Sequence, residues 1–238
     1  MRVRLKYSRE GPCRFLSHLD MVRVFLRAMR RGRLPLAYSQ GFNPQPRLAF
    51  AAPLPVGTAA WGEYLDVYLT APMETEKLLE VLNRQMPPGL KALKAREVPE
   101  KGDSLMALVN TFQYRIELPG TAREAVAAAL EKIKEAPTIP VRRKTKKGPQ
   151  ERDIKPYIKR IHLVEDRGPG ENGGQGVEQG ENRGKGWYLA LTLTAGPRGS
   201  VRPNEVLSGL GMEEKDALIT REGVYIAEGE KILTPFDR

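Results

Sequence analysis

Residues 15–57 read FLSHLDMVRVFLRAMRRGRLPLAYSQGFNPQPRLAFAAPLPVG. The stretch opens with helix-start chemistry. Ser17 stands as an N-cap with Asp20 three residues on, and Leu16 and Met21 are spaced for a hydrophobic staple. Gly32 and Pro35 close the helix, which is expected over 17–33. Leu19, Val22, Leu26 and Met29 recur at helical spacing, with Phe25 at the margin, so one apolar stripe is expected to face a core. Arg23, Arg27, Arg30 and Arg31 fall on the other side, within roughly a third of the helix circumference. Like charges four residues apart repel, and only Asp20 is near enough in sequence to pair with them. Such a face is either a solvated charged surface or a seat for an anion.

The next ten residues, 38–47, are turn chemistry throughout. Gly41 and Asn43 accept positive φ, and Pro44 and Pro46 fix an extended path. Phe42, between Gly and Asn, is either a loop aromatic tucked onto the sheet or one free to stack on an unpaired base. Tyr38, Phe42, Asn43 and Arg47 join Arg23, Arg27, Arg30 and Arg31 as the candidate RNA-binding residues.

On the N-terminal side, residues 2–8 alternate Val3, Leu5 and Tyr7 with Arg2, Arg4 and Lys6. That predicts a half-buried strand with a basic outer face. On the other side a short strand is expected over 47–52 and another over 64–69. A helix over 73–86 follows, with Leu78, Leu79, Leu82 and Met86 inward, then a strand over 90–98. The order βαββαβ is the split ferredoxin-like motif.

The pattern then repeats. A strand is expected over 112–118, and a Thr121–Glu124 capping box opens a helix burying Val126, Ala129, Leu130 and Ile133. Strands at 139–141 and within 154–164 flank a basic loop, and Trp187, Leu189, Leu191 and Leu193 mark another strand. A short helix begins near Pro203 and stops before Gly211, and a last strand covers 218–226. The expected fold is α+β: two ferredoxin-like (βαββαβ) halves in tandem, antiparallel sheets with helices on one face. The halves are placed at 1–100 and 108–238.

Residues 166–186 are Gly-rich and almost devoid of apolar side chains, so they are expected to form a flexible hairpin insertion without chemistry. The GxxxxGK[ST] phosphate loop is missing from them. The basic loop over 142–160 is expected to be mobile. It is either a second phosphate contact or a solubilising excursion.

The formal net charge is +10 over 238 residues. Residues 1–58 hold eleven Arg and Lys against two acids, and 142–160 hold nine against two, so the rest of the chain is net acidic. Focused positive charge points to a polyanionic partner. A membrane surface is not indicated, because no basic amphipathic helix with a bulky aromatic edge is evident. The single cysteine, Cys13, rules out an internal disulfide framework or thiolate metal cage. No metal or other cofactor is expected, and without a signal peptide or spanning segment the protein is expected in the cytoplasm.

The run RFLSHLD…R…RAMRR…LPLAYSQGFNPQPRLAFAAPLPVG…EYLDVYL resembles the radical-SAM-linked, or radical-SAM-associated, bacterial protein family. This is a domain of unknown function whose members stand alone or follow a cobalamin-binding radical SAM enzyme in one chain. The resemblance is specific over residues 2–70 and looser beyond, where SVRPNEVL also fits. The family pattern often has Ser where this chain has Ala49. The resemblance implies a radical SAM partner enzyme carrying its own iron–sulfur cluster; this chain has no CxxxCxxC. By architecture alone, paired ferredoxin-like domains with a basic face also resemble the repeat-processing endoribonucleases of CRISPR systems.

Three functions follow as expectations. The first is an RNA-binding accessory protein that presents tRNA or rRNA to a radical SAM modification enzyme. The second is a metal-independent endoribonuclease with His18 as general acid or base. Against it, His18 can instead bond backbone at the helix cap. The third is a protein-only adaptor whose basic face docks an acidic patch of the enzyme.

Overall fold

The computed structural model describes residues 1–145, 148–166, 186–196, 199–213, 215 and 217–238. The first elements are β1 Arg2–Arg9, a 3-10 helix Gly11–Phe15, α1 His18–Arg31, β2 Leu48–Phe50, β3 Ala59–Tyr68, α2 Thr75–Asn83 and β4 Leu90–Val98. Then come α3 Leu105–Leu108, β5 Thr111–Glu117, α4 Arg123–Glu135, β6 Pro140–Thr145, β7 Gly148–Asp153, β8 Ile158–Asp166 and β9 Gly186–Thr194. The chain finishes with α5 Pro203–Gly209, β10 Leu218–Glu228, β11 Lys231–Leu233 and a 3-10 helix Pro235–Asp237. The fold is mixed α+β, with mostly antiparallel strand pairing and few helices. Two compact units divide it: Met1–Thr111 with Arg221–Arg238, and Phe112–Thr220.

In the first unit β1 lies between β4 and β3, antiparallel to both, and β2 pairs antiparallel with β3 through Leu48↔Val67 and Phe50↔Leu65. Val3, Leu5 and Tyr7 point from β1 to the helices, where they meet Phe25 and Met29 of α1 and Leu78 and Leu82 of α2. Tyr7, Phe25 and Phe50 stack edge to face, with ring centroids 4.9 to 6.2 Å apart.

That aromatic trio corrects the expected orientation of α1. The buried positions are Met21, Phe25, Ala28 and Met29, whereas Leu19 is 65% exposed. Val22 and Leu26 are only partly covered. Four-residue and seven-residue spacings from Met21 define this face as well as the expected stripe does. Phe25 decides between them, since an aromatic ring buries more area than Leu19 can. Leu19 is thereby turned to the arginine side.

The other face of β1 is also corrected. Arg2 and Arg4 are buried, not exposed, and both bind the buried carboxylate of Asp66 on β3. Arg4 also donates to the carbonyls of Pro235 and Arg238, so the final 3-10 segment covers this face. Nothing in the period-two alternation of 2–8 tells a basic outer face from a covered one.

In the second unit β9 pairs antiparallel with β8, from Ile158↔Leu193 to Asp166↔Gly186, and the strand order is β5-β9-β8. Ile116, Val126, Leu130, Leu189, Leu191, Leu193 and Leu207 form its core. The expected Thr121–Glu124 box does not open α4. Its N-cap is Ala122, with no side-chain cap, and the helix begins at Arg123. The expected basic loop contains paired strands, β6 and β7, antiparallel from Pro140↔Asp153 to Thr145↔Gly148. Asp153 braces its base, accepting from the Ile139 and Lys155 backbone amides at 2.7 and 3.0 Å. The expectation of a flexible insertion falls on 167–185, outside the described residues.

Candidate nucleic-acid interface

The best-signalled part of the sequence forms as its capping chemistry dictates. Ser17 Oγ accepts from the Asp20 amide at 3.2 Å and donates to Asp20 Oδ2 at 2.6 Å. That hydrogen bond, followed by the one from Arg23, holds the Asp20 carboxyl below its usual range. Asp20 Oδ1 pairs with Arg23 Nη1 at 3.0 Å. Arg23, Arg27, Arg30 and Arg31 are all exposed, on the side of α1 opposite Phe25. At about 100° per residue they span an arc of roughly 100°.

The four differ in what holds them. Arg23 is tied to Asp20, and Arg31 donates to the Gln85 carbonyl and, at 3.3 Å, to Gln85 Oε1. Among the described residues, Arg27 and Arg30 make no ion pair. Arg30 and Arg31 occupy the last helical turn, where the helix dipole favours positive charge. Gly32 caps the helix in a right-handed conformation and Arg33 takes the left-handed one, with φ 52°. That position usually belongs to glycine.

The segment leaving α1 is stitched to the sheet before it opens out. The amide of Ala37 donates to the Tyr68 carbonyl and that of Arg47 to the Ala37 carbonyl, both at 2.8 Å, and Tyr38 forms an isolated bridge with Pro46. Beyond this stem the Ser39 amide donates to the Gln45 carbonyl, the Gln45 amide to Ser39 Oγ and Gln45 Nε2 to Asn43 Oδ1. Asn43 therefore braces the loop from within. Gly41 takes the expected positive φ, 124°; Asn43 does not, and its role is that side-chain bond. Phe42 sits at the tip and is fully exposed, so the alternative of a ring tucked onto the sheet is set aside. Tyr38 is partly exposed at the stem. The Arg47 guanidinium lies 4.0 Å above the Tyr68 ring, an arrangement that fixes its plane and leaves its outer edge to solvent.

The structure thus gathers Tyr38, Phe42, Asn43 and Arg47 on one braced loop, and the four arginines on one helix face. His18 is the first residue of α1, so Arg30 and Arg31, 12 and 13 residues on, lie about 18–20 Å from it along the axis at 1.5 Å per residue. It is exposed, with its ring edge-on to Phe50 at 5.2 Å.

Three contributors escaped the sequence reading. Tyr68 supports Arg47, and only its place at the end of an alternating strand hinted at exposure of one face. Gln85 positions Arg31 across 54 residues, a pairing with no local signal. Arg33, not the adjacent Gly32, carries the left-handed backbone at the helix end. Among the described residues, no group of three or more His, Cys, Asp or Glu is placed to hold a metal ion, and no helix is long and apolar enough to cross a membrane.

No curated protein matches the chain in sequence. Residues 2–203 match a family described as an uncharacterized protein conserved in bacteria, DUF2344, and the chain belongs to that family.

Proposed function

We propose that this chain is an RNA-binding accessory protein that presents tRNA or rRNA to a radical SAM modification enzyme in the cytoplasm. The observation that carries RNA binding is the presence, in one unit, of a fully exposed aromatic, Phe42, on a braced loop and of a helix face of exposed arginines. Arginines neutralise phosphates and supply most of the sequence-independent affinity. An exposed ring supplies stacking for an unpaired base, which phosphates cannot satisfy. An exposed aromatic also serves a protein-only adaptor as an interface anchor, and salt-dependent RNA binding by the isolated chain separates the two readings.

The radical SAM partner, with its own iron–sulfur cluster, rests on the resemblance of residues 2–70. We read each unit as a ferredoxin-like half. The order β4-β1-β3-β2 with α1 and α2 supports this for the first, and β5-β9-β8 with α4 supports it for the second.

Ultraviolet crosslinking in cells, followed by sequencing of the bound RNA, tests the proposal. The expected result is enrichment of a few structured RNAs, lost when Phe42 and the arginine face are replaced together. Recovery of no RNA above background contradicts it. If RNA is cleaved and His18→Ala stops the cleavage without stopping binding, the endoribonuclease reading replaces it.

A further inference from the structure

A groove of about 310 Å³ opens between α1 and the turn that follows α2. It is lined by Val24, Arg27, Arg31, Gln85, Met86 and Pro87. Its rim and its wall differ in chemistry. Arg31 is held in place by two bonds to Gln85, one to the carbonyl and one to Oε1. A guanidinium fixed before the ligand arrives loses less freedom on binding. Arg27, one turn earlier, is exposed and makes no ion pair among the described residues, with a fork of donors suited to phosphate oxygens. Val24, Met86 and Pro87 are only partly buried and form an apolar wall below these charges. Thioether sulfur makes favourable contact with aromatic rings.

The volume lies at the lower end of small-ligand clefts, about 300–1,000 Å³. That is room for one nucleotide. An acidic peptide would use the guanidiniums but leave the apolar wall without a partner.

We infer that this groove seats one unpaired nucleotide of the bound RNA, with its phosphate on Arg27 and its base against Met86 and Pro87. The inference rests on the RNA-binding reading and gives it a base-holding site distinct from Phe42. The seat selects for single-stranded or bulged RNA, since a paired base cannot enter.

The test uses the whole chain and two short single-stranded probes of equal length, one of uridines and one abasic with the same phosphates. A uridine probe carrying 4-thiouridine is irradiated with the wild-type protein and the crosslinked residue is mapped. Crosslinks to Met86 or Pro87 are expected. In binding, Met86→Ala should weaken the uridine probe by about 2- to 10-fold and leave the abasic probe unchanged. Arg27→Gln should lower the salt slope by about one for both probes. If the protein binds the uridine probe but crosslinks elsewhere, and neither variant matters, the groove assignment falls while RNA binding stands. If the wild type binds neither probe, both fall. Displacement of the crosslink by a glutamate-rich peptide at matched ionic strength, with no difference between the two probes, would instead mark the groove as a protein-docking site. The crosslink needs no variant, so a folding defect in Met86→Ala does not blunt the test.

Discussion

Arg4 donates from Nε to Asp66 Oδ1 at 2.7 Å, with both side chains sealed from solvent. Arg2 reaches the same carboxylate through Oδ2, at 2.9 Å from Nε. Two guanidiniums thus share one buried carboxylate. The carbonyls of Pro99, Asp103, Pro235 and Arg238 take further donors and disperse the remaining charge. Asp66→Ala removes the carboxylate that both guanidiniums share and leaves two buried cations. It should cost about 3–5 kcal/mol in urea unfolding. A cost below about 1 kcal/mol would mean that water or the carbonyls already stabilise the pair.

The rotation of α1 predicts opposite outcomes for two apolar residues of one helix. Phe25→Ala empties the centre of the Tyr7–Phe25–Phe50 cluster and should cost about 3–5 kcal/mol. Leu19→Ser, at an exposed position, should change stability by no more than about 0.5 kcal/mol. Equal losses in thermal melts would place Leu19 back in the core.

Much of the fold is written in local patterns. Strand alternation at Val3, Leu5 and Tyr7 and at Leu189, Leu191 and Leu193 marks buried faces in both units. Ser17, Gly41 and Pro203 do what their chemistry indicates. What was illegible is long-range. Arg2 and Arg4 read as a basic surface because their partner Asp66 lies more than 60 residues away. The pairing of β6 with β7 is hidden by charge, since paired backbone leaves no mark in a sequence dominated by charged and polar residues. The candidate site was half legible. The arginine face and Phe42 follow from spacing and turn chemistry, whereas the Arg47–Tyr68 stack and the Arg31–Gln85 bond need the folded chain.

Caps at the two longest helices should respond differently. Ser17→Ala should cost about 1 kcal/mol, since it removes the bond to the Asp20 amide. Thr121→Ala should cost little, because α4 starts after Ala122 without a side-chain cap. Asp20 adds a pH dependence of known sign. Its folded pKa is lowered, so its contribution is fully present above the unfolded value and fades as pH falls through the folded one. Following the Asp20 carboxyl by NMR should show it titrating below an unstructured aspartate, and Ser17→Ala should raise that value.

Phe42 touches nothing that its loss would unfold. Phe42→Ala should leave the melting temperature unchanged and weaken single-stranded RNA binding by roughly 1–3 kcal/mol. The salt slope should stay the same, because no charge is lost. A drop in stability with no change in RNA affinity would return Phe42 to a structural role.

The arginine face of α1 is the proposed seat of RNA phosphates. The measurement that reaches it most directly is RNA affinity of the isolated chain across a salt series, for wild type, Arg27→Gln/Arg30→Gln and Arg27→Glu/Arg30→Glu. Circular dichroism and thermal melts establish that each variant is folded, as expected for exposed positions. For the wild type, log affinity should fall linearly with log salt, and the Gln pair should lower the slope by up to about two. The Glu pair should nearly abolish binding. RNA affinity and salt slope unchanged in the folded Glu variant would rule out this face as the binding surface.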